Sequence, residues 1–118
     1  MSKQVNAGQL KTPVSFTRLE KQTDEEGVTG VREVNVFGEG AAVRCQWVNA
    51  HGSEVFTAMQ LQLTEPATVT CRYSPRITRD LIVYKGTDPK PYEIVSIDNV
   101  EEQNRWMEIK VKRRGAAR

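Results

Sequence analysis

Residues 67–73 alternate between apolar and polar: Val69, Cys71 and Tyr73 fall on one side of the pattern, Thr68, Thr70 and Arg72 on the other. That period of two marks a half-buried strand. Ser74-Pro75-Arg76-Ile77-Thr78 breaks the alternation, as a turn with Pro at its second position does. Two further apolar runs follow, Leu81-Ile82-Val83-Tyr84 and Tyr92-Glu93-Ile94-Val95-Ser96-Ile97, separated by a stretch holding Gly86, Pro89 and Pro91. Three strands joined by short turns predict an antiparallel meander on which the rest of the chain packs.

The same reading extends in both directions. Pro13 opens a strand over 14–20, where Val14 and Phe16 alternate with Ser15 and Thr17; a missing N–H is tolerated at a strand's first residue. The polar run Gln22-Thr23-Asp24-Glu25-Glu26-Gly27 predicts a loop over 21–30. Alternation resumes over 31–37, stops at Gly38-Glu39-Gly40, and continues over 41–48 with Ala41, Val43, Cys45 and Trp47 on one face. A strand interrupted by glycines is a device for curving a sheet into a barrel. Residues 53–61 read as a short helix with Ser53 as its N-cap, Glu54 in its first turn, and Val55, Phe56 and Met59 on one face. Met59, Leu61 and Leu63 fit a strand equally well. A closing strand over 106–112 turns Met107, Ile109 and Val111 one way. The class is all-β, a barrel or a sandwich, and the expected architecture is a small antiparallel β-barrel of about six strands with one short helix and long loops. The expected organisation is a flexible arm over 1–12, one barrel domain over 13–112 and a disordered basic tail over 113–118.

A length of 118 residues suits one domain. The net charge of +2 is unevenly placed, because Lys110, Lys112, Arg113, Arg114 and Arg118 all lie in the last nine residues. A basic end on a mildly acidic body suits either an anionic partner or plain solvation. Cys45 and Cys71 both sit in apolar-periodic stretches, which reads as two small buried side chains in a reducing compartment; a disulfide needs them on neighbouring strands. No apolar run is long enough for a membrane span, and the first ten residues lack the apolar core of a secretory signal, so synthesis and use in the cytoplasm are expected.

Candidate chemistry is sparse. The single histidine, His51, stands beside Gly52 with no companions that spell a nucleophile–base arrangement. The carboxylates lie in polar runs, Asp24-Glu25-Glu26 and Glu101-Glu102, whereas acid–base pairs need a pocket that splits their pKa values. Gly38-Glu39-Gly40 lacks the context of a phosphate loop. The sequence predicts no enzyme, no cofactor and no metal. Arg72, Tyr73, Arg76, Arg79 and Lys85 gather around one turn, and Trp106 follows Arg105; small barrels with such residues bind single strands by stacking. Most of the aromatics, however, fall at core-facing positions.

One resemblance covers nearly the whole chain. Gly8-Gln9-Leu10-Lys11 before Val14-Ser15-Phe16-Thr17-Arg18, and Val43-Arg44-Cys45-Gln46-Trp47 before Gly52-Ser53-Glu54-Val55-Phe56, stand in the right order and spacing. So do Thr68-Val69-Thr70-Cys71-Arg72-Tyr73-Ser74-Pro75-Arg76-Ile77-Thr78, Tyr92-Glu93-Ile94, and Asn104-Arg105-Trp106-Met107-Glu108-Ile109. Together they resemble the head-tail adaptor (head-closure, or stopper) proteins of tailed bacteriophages. The resemblance implies a virion protein without catalysis that is made in the host bacterial cytoplasm. It implies a monomer when free and a ring of about twelve copies in the particle. The ring's implied partners are the portal or adaptor ring, the tail terminator or tail tube, and packaged DNA passing without sequence specificity; no membrane is involved. Asp24, Glu25, Glu26, His51 and Glu54 are then candidates for loops facing the DNA channel, and Lys110, Lys112, Arg113, Arg114 and Arg118 for contact with a partner or with DNA. The alternatives are a tail-completion or terminator protein and a small nucleic-acid-binding barrel.

Overall fold

Seven strands form one sheet that rolls up and meets itself. In the computed structural model, which describes residues 7–27, 29–50 and 65–114, they are β1 (Thr12–Thr23), β2 (Thr29–Asn35), β3 (Val43–Asn49), β4 (Ala67–Arg72), β5 (Ile82–Lys85), β6 (Tyr92–Asn99) and β7 (Trp106–Arg113). All pairings are antiparallel, β1–β3–β4–β7–β6–β5, and β5 returns to β1 to close a six-stranded barrel. The predicted short helix over 53–61 lies outside the described residues. The helical turns among the described residues are two 3-10 segments, Ala7–Gln9 and Val100–Glu102.

The register of β1 explains the closure. Val14 is paired with Val43 on one edge and Lys85 on the other, and Thr17 with Asn35 and Ile82. A strand has two edges, so β2 and β3 share one and β5 takes the opposite one. β2 and β3 are therefore one strand interrupted, as the glycines predicted. The interruption is a turn in which Gly38 and Gly40 adopt φ of +115° and +73°. Asn35 organises it: its Oδ1 accepts from the Phe37 N–H at 2.9 Å and its Nδ2 donates to the Ala41 carbonyl at 2.7 Å.

Inside, the alternating positions meet. Val14, Phe16, Cys45, Val69, Cys71, Val83, Ile109 and Val111 are fully or almost fully buried, and a six-stranded barrel leaves room for side chains and nothing else. Phe37 packs edge-on to Phe16, with ring centroids 6.1 Å apart. The β3–β4 register, carried one pair past Gln46↔Thr70, sets Cys45 directly across from Cys71, and both are free thiols. The hydrogen bond with Cys71, burial and the nearness of the second sulfur all push the Cys45 thiol up from its ordinary value.

Three expectations are corrected. The stretch from β4 to β6 is not a meander, because the free edge of β4 is taken by β7 and β5 joins β1 and β6. The connection after β4 sends Ile77 and Leu81 into the core, at 5% and 2% exposure, so burial of those two side chains draws the chain away from β4. Residues 21–30 are not all loop, since Lys21↔Val31, Gln22↔Gly30 and Thr23↔Thr29 are ladder pairs. A ladder needs only backbone groups, and polar side chains suit a hairpin wetted on both faces. Finally, Arg113 is the last residue of β7 rather than the first of a tail, because Tyr92 pairs with it across the sheet.

Candidate functional site

The barrel leaves one element unsupported. Beyond Thr17, β1 runs on to Thr23 with only β2 beside it among the described residues, and β5 stops at Ile82, opposite Thr17. This two-stranded arm is solvent-exposed from Arg18 onward. Leu19 and Val31, 51% and 66% exposed, lie diagonally on one face, because Leu19 opposes Glu33 and Val31 opposes Lys21. Strand edges this open are templates for pairing with another chain.

The tip of the arm is acidic. Asp24, Glu25 and Glu26 form the turn, with the Asp24 carboxylate accepting from the Glu26 N–H at 2.9 Å and the Asp24 carbonyl accepting from the Gly27 N–H at 3.0 Å. Gly27 supplies the positive φ, +82°, that ends the turn. All three acidic side chains are exposed.

The root of the arm is anchored through Glu33. Its Oε1 accepts from the Thr17 hydroxyl at 2.6 Å, and Tyr84 lies close enough for the Glu33 side chain to act on its phenol. Burial first, then the hydrogen bond to Glu33 and that residue's charge, push the Tyr84 phenol up to about 12.

Beside the root, on the edge that β5 leaves open, lies a groove of about 420 Å³ lined by Arg18, Leu19, Arg79, Asp80, Ile94 and Arg114, with Leu81 and Ile82 in its floor. Its arginines come from three distant stretches of chain. Its acids are occupied: Asp80 accepts from the Thr78 hydroxyl, and Glu93 at the margin pairs with Lys112 at 3.1 Å.

The basic residues near the C-terminus separate into two groups. Lys110 donates to the Thr68 hydroxyl at 2.8 Å and lies 3.6 Å from Glu108, and Lys112 pairs with Glu93. Arg113 is fully engaged: Nε to Glu65 at 3.0 Å, Nη2 to Asp88 at 3.0 Å and Nη1 to the Lys90 carbonyl at 2.9 Å. Its guanidinium also covers Tyr92, which meets Trp47 edge-on at 4.9 Å, and Lys85 covers Trp47 in turn. Arg114 is exposed and lines the groove. Arg118, His51 and Glu54 lie outside the described residues.

The cluster that suggested nucleic-acid stacking is dispersed. Arg72 lies over Trp106, Arg76 over Phe37 and Lys85 over Trp47, so these cations and rings satisfy one another at separate places on the barrel. Sequence reasoning missed Arg18 as a groove residue and placed Arg79 in the wrong company. No local signal joins Arg18 to Arg79, since the β1–β5 pairing brings them together. Among the described residues no three His, Cys, Asp or Glu side chains are grouped to hold a metal ion, and no helix is long and apolar enough to cross a membrane.

A family model described as "Phage head completion protein" matches residues 5–114. No curated protein matches the chain. Among solved structures, the solution structure of a protein from Shigella flexneri 2a is similar, with a TM-score of 0.66 at 17% identity, covering 97% of this chain and 100% of that one; at that identity the likeness concerns the fold.

Proposed function

Because the chain belongs to the phage head completion protein family, a family of structural virion proteins, we propose that it joins the DNA-filled phage head to the tail as a ring that extends the DNA channel and helps to close it. The observation that carries this reading is the family match, which spans the barrel from its first strand to its last. The architecture suits the task. A closed barrel is a rigid body without free edges, and among the described residues the β1–β2 arm is the element that keeps its edges open. Rings are built from heterologous contacts that close by rotation, and many weak contacts held in a ring reinforce one another.

In this reading the ring has about twelve copies and sits between the portal or adaptor ring and the tail terminator or tail tube. DNA passes through without base recognition. The subunit is a monomer until it docks. The exposed Arg114 is the partner-facing member of the basic set, since Lys110, Lys112 and Arg113 are paired on the barrel itself.

Electron microscopy of particles from a lysate with the gene disabled tests the proposal. Separate capsids and tails, with heads that have lost their DNA, are expected. Complete infectious virions would overturn it.

A further inference from the structure

The arm has an acidic tip, and its root has an arginine-lined groove. The two cannot meet within one chain. Six residue steps along an extended, paired strand separate Arg18 from Asp24, or roughly 20 Å at the rise of a β-strand. The ladder runs unbroken from Thr17↔Asn35 to Thr23↔Thr29, so the arm cannot fold back without losing it. Each copy thus offers a negative projection and a positive recess at opposite ends of the same element.

We propose that the tip of one copy, carrying Asp24, Glu25 and Glu26, seats in the groove formed by Arg18, Arg79 and Arg114 of the next. Three observations select a second copy as the occupant. Charge favours it, with three exposed acids against three arginines; Arg18 also lies 3.6 Å from the exposed Glu20, Asp80 accepts from the Thr78 hydroxyl, and Glu93 is paired with Lys112. The groove borders the β1 edge that has no strand beyond Thr17 among the described residues, so the incoming arm finds backbone groups ready for strand addition. Val31, 66% exposed near the tip, brings an apolar side chain toward Leu81, Ile82 and Ile94, which line the groove. Tip and groove are different surfaces, so the contact is heterologous and propagates from copy to copy as a ring requires. It also gives the acidic turn a role between subunits, in place of one lining the channel.

The inference rests on the connector reading, and the experiment separates the two. Particles are prepared with Glu25→Cys and Arg79→Cys in the same chain, oxidised, and run on non-reducing gels. A ladder of covalent multimers is expected. Particles assembled from a mixture of the two single variants should stop at dimers, and either single variant alone should give none. Protein present in particles but monomeric on the gel overturns the contact and spares the connector reading. Cross-linking of Glu25→Cys to itself also overturns it, since that contact would be isologous. Wild-type protein absent from particles overturns both.

If the cysteine variants fail to enter particles, charge reversal decides. Glu25→Arg with Glu26→Arg, or Arg18→Glu with Arg79→Glu, should each lower the yield of DNA-filled heads about tenfold, and the combined variant should recover most of it. Groove reversal that empties heads while tip reversal leaves them filled would assign the arginines to DNA and overturn the proposal.

Discussion

Arg113 lies over Tyr92, its guanidinium carbon 4.2 Å from the ring centroid, while its nitrogens reach Glu65, Asp88 and the Lys90 carbonyl. One side chain thus fastens the end of β7 to the loop between β5 and β6 and to the residue two before β4. Arg113→Ala should cost about 1–3 kcal/mol, the range for hydrogen bonds to charged groups and a partly shielded cation–π contact. The corresponding fall in Tm is roughly 4 °C for each kcal/mol in a domain of this size. Arg113→Lys keeps the charge but not the planar fork, so it should recover only part of the loss. Thermal unfolding followed by circular dichroism measures both, and an unchanged Tm for the alanine variant would count against this fastening.

Asp88 gives that contact a pH signature. Its carboxyl is held below the ordinary value of 3.8 by hydrogen bonds from the Lys90 N–H and from Arg113. The folded pKa is depressed, so the stabilisation is fully present above about pH 4 and is lost as pH falls through the lowered value. The acid limb of the stability curve should therefore be shallower in Asp88→Asn. Urea titrations between pH 2 and pH 6 read the difference, and parallel acid limbs would remove Asp88 from the account.

Tyr84 acts at the other end of the scale. Burial and Glu33 raise its phenol from 10.0 to about 12. The folded state favours the neutral form, so this contribution is intact below pH 10 and is lost as pH climbs from 10 towards 12. Tyr84→Phe removes the phenol that must ionise and should flatten the alkaline limb. The phenolate absorbance of single-tyrosine variants follows the titration directly.

Two glycines predict opposite responses. At Gly38, with φ of +115°, any side chain is strained even though the space is open, and Gly38→Ala should destabilise by about 1–3 kcal/mol. Gly30, in the exposed ladder of β2, has an ordinary φ and nothing within 4 Å of an added Cβ. Gly30→Ala should be neutral or stabilising by about 0.4–1 kcal/mol, because it restricts the unfolded chain. Equal costs at the two positions would mean that the bend between β2 and β3 does not need its glycine.

The cysteines report on the cooperativity of the barrel. Cys45 and Cys71 are both 0% exposed and face each other across β3 and β4. Neither should react with a thiol reagent in the native state, and both should label together at the rate of global opening. Rapid labelling of one alone would show that the β3–β4 seam opens locally.

Much of the fold was legible locally. The alternations around Val14 and Phe16, around Cys45 and Trp47, and from Met107 to Val111 all became strands with those side chains inward. The Gly38-Glu39-Gly40 break became the bend joining two halves of one barrel edge. The arm was less legible, because a hairpin wetted on both faces leaves no apolar period to read. The groove was illegible: Arg18 and Arg79 stand 61 residues apart and neither sits in a pattern that announces the other.

The chain's own pattern of apolar and polar residues determined that the class is all-β and which side chains face the core. Those properties follow from short-range periodicity, which any segment carries within itself. Tertiary structure alone decided that β7 and not β5 lies beside β4, that the two cysteines meet, that Arg113 is held by Glu65 and Asp88 while Arg114 lies exposed, and that three arginines line one groove. Closing a barrel forces every strand to find two neighbours at once, and which edges remain is settled by the whole set of pairings together rather than by any one strand.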